Sequence, residues 1–327
     1  MALFDTYSRT SKEMDRMLKE KALKKSQNKK TSKSNNLLAR INAIRERISE
    51  NLGEYKDDYR ILISNEEIEE YFEHIRANGI AAIDTETTGL NFFEDIIVGI
   101  CLYTEGEKAS YIPVNHISSI YNKRLDNQAD IEFVKDKMKQ CVNENIKFIY
   151  HNGKFDINML ETFLDSKMNC PYWDTLVASY LITNDEFKRS LKDQYSKYCS
   201  HLENKDKIET LSHFNDLFEG IRFDQVPIES GYIYAARDAW MTYKLYEHQK
   251  EFFERPENAE MYKLFREVEV PLIQVTASMQ RTGVAIDMEL ADKLNKEYNE
   301  KLEKALLMAF DPFTNEEIQK VIGKEMD

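Results

Sequence analysis

The 327-residue chain lacks any apolar run approaching the ~18 residues a membrane-spanning helix needs. Its opening, MALFDTYSRTSKEMDR, lacks the apolar core of a signal peptide, so a soluble protein of the cell interior is expected, with no membrane partner. Cysteine is scarce. Cys101, Cys141, Cys170 and Cys199 lie 40, 29 and 29 residues apart, with no C-x-x-C pair and no histidine at ligand spacing, and read as reduced core thiols. Positive charge is lacking over most of the chain. Residues 1–60 hold 15 Lys and Arg against 9 Asp and Glu, and the remainder holds 30 against 49. A nucleic acid met by this acidic body is therefore not met through bulk charge. What is present is a large apolar fraction, 42%, with 17 Phe and 18 Tyr, which argues for a globular body of two domains, or one large one with appendages.

The stretch that organises the chain is Ile80-Ala81-Ala82-Ile83-Asp84-Thr85-Glu86-Thr87-Thr88-Gly89-Leu90, an apolar run ending in two acids one residue apart. On a strand, side chains at i and i+2 share a face, so Asp84 and Glu86 stand side by side. Two such carboxylates repel unless a cation lies between them, and hard oxygen donors suit Mg²⁺ or Mn²⁺. A strand running into a solvated polar turn is the alternative.

Residues 9–35 are rich in Lys and Ser, a basic arm that either binds phosphate backbone or is a solvated tail. Leu37 to Ile44 has a short helical spacing. The folded body is expected from Tyr59. A strand covers Tyr59 to Ile63, and Ser64-x-x-Glu67 forms a capping box before a helix Glu66 to Ile75 that Asn78-Gly79 stops. Strands at 80–86, Ile96 to Tyr103 and Ala109 to Val114 suggest an antiparallel meander. A helix Ile131 to Val142 and a strand Lys147 to Tyr150 follow. Helices are then expected at Phe155–Leu164, Trp173–Ile182, Leu191–Tyr198 and Ile228–Phe252. The result is an α/β body with a mixed sheet whose strand ends feed a cleft.

Two further pieces complete a constellation. His151-Asn152-Gly153-Lys154-Phe155-Asp156 puts a third acid at a strand-to-helix junction, where a helix dipole favours one in any case. Tyr234 and Asp238, at i and i+4, share one helix face, an arrangement that a core tyrosine beside an ordinary acid also produces.

Asp84-x-Glu86, Asn152-x-x-Phe155-Asp156 and Tyr234-x-x-x-Asp238 together resemble the DEDD superfamily of 3′-5′ exonucleases. The tyrosine four residues before the last Asp is similar to the DEDDy branch, the proofreading domain of family A, DNA polymerase I-like enzymes. Trp173-Asp174-Thr175 through Tyr180-Leu181 is similar to the family's D-T-x-x-x-x-Y-L helix. Glu267 to Leu272 and Met279 to Asp287 resemble the opening of the polymerase thumb, with a helix Met288 to Met308 continuing it. The resemblance implies a ribonuclease H-like fold followed by an all-helical thumb-like segment. The expected parts are a basic arm at 1–58, an exonuclease domain at 59–252 and the thumb-like segment at 253–327.

It further implies two divalent cations, Mg²⁺ or Mn²⁺. Asp84, Glu86 and Asp238 would hold the first, and Asp84 with Asp156 would bind or orient the second. Tyr234 would orient the attacking water, because a phenol of pKa about 10 is a poor base at neutral pH. Leu90 matches a position that wedges against the terminal base, or is a loop-anchoring leucine. Asn152 touches the nucleotide or caps the helix that starts near Phe155, itself a candidate substrate contact.

The palm and fingers of a polymerase have no counterpart in these residues, so no DNA synthesis is expected of the chain alone. Expected partners are single-stranded DNA or a DNA 3′ terminus and a separate palm-and-fingers subunit, in the cytoplasm of a bacterium or a phage-infected cell. Two other readings remain open: a weakly catalytic or non-catalytic docking subunit of a split polymerase, and a ribonuclease D-like enzyme acting on RNA.

Overall fold

A computed structural model describes residues 39, 40, 43, 55–118, 121–183, 187–203 and 220–310, the last four without side-chain detail. Most of the basic arm expected at 1–58, and residues 311–327 of the thumb-like segment, lie outside the described residues. The chain divides into two compact units after Ser278.

The first unit is built on a six-stranded mixed sheet of β1 (Tyr59–Ile61), β2 (Ile80–Thr87), β3 (Ile97–Tyr103), β4 (Ala109–Pro113), β5 (Lys147–Tyr150) and β6 (Trp173–Asp174). Spatial order is β1-β4-β3-β2-β5-β6. The expected meander is present, because β2, β3 and β4 pair antiparallel, while β1, β5 and β6 join parallel to β4, β2 and β5. Central β3 is buried at every residue, which its run Ile-Val-Gly-Ile-Cys-Leu-Tyr allows.

Helices cover both faces of the sheet. On one, α1 (Asn65–Asn78) starts at the expected capping box: the Ser64 hydroxyl accepts from the Glu67 N–H at 3.2 Å, and the Glu67 carboxylate accepts from the Ser64 N–H at 3.3 Å. The helix stops at Gly79, whose φ of 68° suits a residue without Cβ. Ile68, Tyr71, Phe72 and Ile75, at helical spacing, are its buried face. With α2 (Ile131–Asn143) and α3 (Gly153–Leu164) they enclose a core that includes Ile83, Ile100 and Leu102 of the sheet.

The opposite face is covered by α6 (Ile228–Phe253), after the shorter α4 (Thr175–Ile182) and α5 (Leu191–Tyr198). Its Ala235, Ala236 and Ala239 are fully buried with Ala82, Cys101 and Ile149 of the strands. These small side chains let the helix axis lie close to the sheet, which brings residues of α6 within reach of the end of β2.

The chain continues through α7 (Ala259–Leu264), a π-helical turn at Phe265–Glu269 and α8 (Val270–Thr282). In the second unit α9 (Met288–Phe310) is the helix expected from Met288, and Leu290, Leu294, Tyr298, Leu302 and Leu306 form an exposed stripe along it. Among the described residues, no helix is long and apolar enough to cross a membrane.

Three expectations are corrected. Trp173 and Asp174 form a strand rather than the start of a helix, because their backbone pairs with Ile149 and Tyr150 of β5. β1 ends at Ile61, short of Ile63, since the chain must turn into the Ser64 cap. Cys101, Cys141 and Cys199 are buried free thiols, but Cys170 is exposed in the loop before β6.

Candidate active site

Asp84 and Glu86 sit on the last turn of the pleat of β2, opposite Cys101 and Gly99 of β3. They face α6, as does Ala82 two residues earlier, while Ile83 and Thr85 point the other way. The ladder breaks between Glu86 and Thr87, where one extra residue of β3 is accommodated. Such a bulge re-aims the neighbouring side chain and ends the pairing beside a cleft. Gly99 is needed there, since a Cβ on it would lie 2.2 Å from the buried Tyr111 ring.

Asp156 lies in the first turn of α3 and is buried. One of its oxygens accepts from the Thr85 N–H at 3.0 Å and from the Thr85 hydroxyl at 2.7 Å, tying the helix to the strand between the two acids of β2. The junction leading to it is built by another acid. Asp174, also buried, accepts from the N–H groups of Asn152 (3.2 Å) and Gly153 (2.7 Å) and from those of Leu176 (2.9 Å) and Val177 (3.2 Å). One carboxylate thus caps the starts of α3 and α4 together. Asn152 itself has φ of 68° and makes no side-chain capping bond, so of the two roles considered for it the cap falls to Asp174.

Tyr234 and Asp238 share one face of α6, as their spacing requires, and both are half-buried. Above them is Lys192, in the first turn of α5. Its ammonium donates to the Tyr234 hydroxyl, lies 3.8 Å from the centroid of that ring, and stands 3.9 Å from the Asp238 carboxylate.

Asp84, Glu86 and Cys101 bring their donor atoms within 4.8 Å of one another, and Asp156 and Asp238 stand outside that tight group. All four acids nevertheless feel one another. Burial, then the charges of Asp156, Glu86 and Asp238, push the Asp84 carboxyl well above its ordinary range, with Lys192 opposing. Burial and Asp238 push Glu86 up to about 8. Burial lifts Asp156 to about 7 despite its two bonds from Thr85. Burial also raises Asp238, against Lys192 and Arg237. The Cys101 thiol is raised by burial and by the acids, and remains protonated. A cluster of carboxylates faced by one ammonium is short of positive charge. Its donors are hard oxygens with a neutral thiol beside them, so the residues present fit a hard divalent cation.

Of the remaining candidates, Leu90 projects from the loop after β2 with 85% of its surface exposed, and Phe155 is half-buried, packed against the α3 side of the core. Sequence reasoning missed Thr85, Lys192 and the double cap at Asp174. The only advance signal for Lys192 was its place beside the first apolar residue of an amphipathic helix.

A family described as 3′-5′ exonuclease matches residues 59–251, more than half of the chain. DNA polymerase I of Borreliella burgdorferi is 28% identical over 231 residues, 71% of this chain and 23% of that protein. A DNA polymerase of Bacillus phage SP01 is 26% identical over 263 residues, 72% and 27% respectively. The chain spans about a quarter of the length of the curated relatives it matches. Among solved structures, the polymerase domain of Pol1 from M. smegmatis with DNA primer-template and dNTP aligns with 80% of this chain and 40% of its own. Its TM-score is 0.54 at 12% identity, a likeness of fold.

Proposed function

The chain belongs to the 3′-5′ exonuclease family found in DNA polymerase I-like proteins, and from that premise we propose that it is a metal-dependent 3′-5′ exodeoxyribonuclease acting on single-stranded or frayed DNA ends. The observation that carries this reading is the set of four acids, Asp84, Glu86, Asp156 and Asp238, gathered from three separate elements and left short of positive charge.

Asp84, Glu86 and Asp238 would hold one Mg²⁺ or Mn²⁺, and Asp84 with Asp156 a second. Such ions, when bound, activate water and neutralise charge on a phosphodiester. The protein side of the chemistry is placement. Asp156 is held by Thr85, so its free oxygen keeps a fixed direction. Tyr234 stands on the Asp238 face and orients the water that attacks phosphorus. Leu90, exposed and apolar, supplies a surface for the terminal base, and Asn152 and Phe155 contact the last nucleotide. A frayed end supplies unpaired nucleotides at lower cost than a paired one, which favours removal of mismatched termini. In the same reading residues 253–327 are thumb-like, and the polymerase palm and fingers are the partner.

The test is cleavage of a 5′-labelled single-stranded DNA oligonucleotide with Mg²⁺, Mn²⁺ or EDTA, beside a matched RNA. We expect a metal-dependent ladder shortening from the 3′ end, reduced at least ~100-fold in Asp84→Ala and Asp156→Ala chains that keep the wild-type circular dichroism. Undiminished cleavage in both variants would sink the assignment, and faster cleavage of RNA would move the substrate class.

A further inference from the structure

Lys192 belongs to none of the motifs that define the family resemblance, yet the fold delivers it to the acids. Leu191, Tyr195 and Cys199, one face of α5, are buried against Met241 and Leu245 of α6. Those two residues continue, about one and two turns past Asp238, the α6 face that carries Tyr234 and Asp238. Seating α5 there sets the residue after Leu191 directly over the phenol. Its side chain is 28% exposed, and its ammonium stands between the Tyr234 hydroxyl and the Asp238 carboxylate.

An ammonium has three protons to donate and no lone pair to offer, so the phenol oxygen must be the acceptor of this bond. We propose that Lys192 is a positioning residue of the exonuclease site: by donating to the Tyr234 oxygen, it makes Tyr234 a hydrogen-bond donor toward the carboxylate cleft. Tyr234 then holds a water or phosphate oxygen by giving its proton to it, and takes no part in receiving the proton of the attacking water. The ring is pinned as well, since the ammonium lies over its face as well as at its hydroxyl. This inference rests on the exonuclease reading for its kinetic consequence. A second consequence is independent of that reading: an ammonium 3.9 Å from Asp238 repels a divalent cation seeking the same carboxylate.

The experiment compares wild type with Lys192→Met, Lys192→Arg, Tyr234→Phe and the double variant Lys192→Met/Tyr234→Phe. One measurement is the single-turnover rate on labelled single-stranded DNA at saturating Mn²⁺. The other is the Mn²⁺ binding isotherm without DNA, read by electron paramagnetic resonance. We expect Lys192→Met to slow cleavage ~10- to 100-fold with half-saturation by DNA changed less than ~2-fold, and Lys192→Arg to recover part of the loss. The double variant should be no more than ~2-fold slower than Tyr234→Phe, because the lysine acts through the tyrosine. Lys192→Met should also bind Mn²⁺ about 3- to 10-fold more tightly. A wild-type rate in Lys192→Met, or full multiplication of the two effects in the double variant, overturns the proposal. A wild-type chain that cleaves nothing overturns the exonuclease reading instead. The isotherm then decides whether Lys192 stands in the acid cleft, and unchanged Mn²⁺ affinity removes it from there.

Discussion

His116 shows how strongly a single residue can be specified away from the cleft. It is fully buried, with its Nδ1 at 2.9 Å from the Val226 carbonyl and its Nε2 at 2.7 Å from the Tyr111 hydroxyl. A carbonyl only accepts, so Nδ1 carries the proton and Nε2 accepts from Tyr111. The neutral ring satisfies both partners. Burial pushes its pKa down to about 4, against the Val226 carbonyl and the charge of Asp224. The unfolded chain takes up this proton near pH 6.5, while the folded one resists until about 4, so the contribution is complete above pH 6.5 and is lost as pH falls. The loss is on the order of 3 kcal/mol. The stability advantage of wild type over His116→Gln, measured by urea unfolding, should therefore shrink from pH 7.5 to 4.5. The titrating carboxylates are common to both chains and cancel. An unchanged advantage would mean that the ring is not held neutral.

Elements meet the cleft through their ends, and a comparison of two capping aspartates separates stability from function. Asp130 caps α2 by accepting from the Phe133 N–H at 3.0 Å, far from the acids in the chain, and serves one helix. Asp174 serves two, and the junction it holds leads directly to Asp156. Asp130→Ala should cost ~1 kcal/mol in the urea midpoint and leave nuclease activity intact. Asp174→Ala leaves several buried N–H groups unpaired, so it should cost ~2 kcal/mol or more and also slow cleavage at least ~10-fold through displacement of Asp156. Equal activity in the two variants would show that α3 holds its register without the shared cap. The seat of α5 on α6 is a second such junction, since Met241 and Leu245 are fully buried beneath Leu191 and Tyr195.

Over the whole molecule the acids of the cleft are a standing cost in the absence of cations. Their raised pKa values mean that the folded chain without metal grows less stable as pH rises from about 4 through 8, because the unfolded chain ionises first. A cation that binds only the folded form offsets this. At ten times its dissociation constant it adds ~1.4 kcal/mol, which raises the melting temperature by about 3–5 °C for a domain of this size. Thermal melts at pH 8 should show this rise with Mg²⁺ or Mn²⁺, its reversal by EDTA, and a smaller rise in Asp84→Asn. A melting temperature indifferent to divalent cations in wild type would argue against a cation site at these acids.

Much of the fold was legible because its signals are local. Side chains alternate along β2, so Asp84 and Glu86 had to share a face. Helical spacing put Tyr234 beside Asp238, and Ser64 with Glu67 marked the start of α1 before any contact was known. These regularities are carried by neighbours within about four residues, and they placed most elements to within a few positions. What required the tertiary structure was decided by partners distant in the chain. Trp173 and Asp174 are a strand because β5 lies alongside. Asp156 is aimed by Thr85, 71 residues earlier, and Cys170 lies exposed in the loop before β6 rather than in the core. Lys192 reaches Tyr234 across 42 residues only because the apolar face of α5 finds its seat on α6. Sequence pattern thus determined which residues could carry the chemistry, and long-range packing decided which side chains surround them, since no local regularity records a contact between elements.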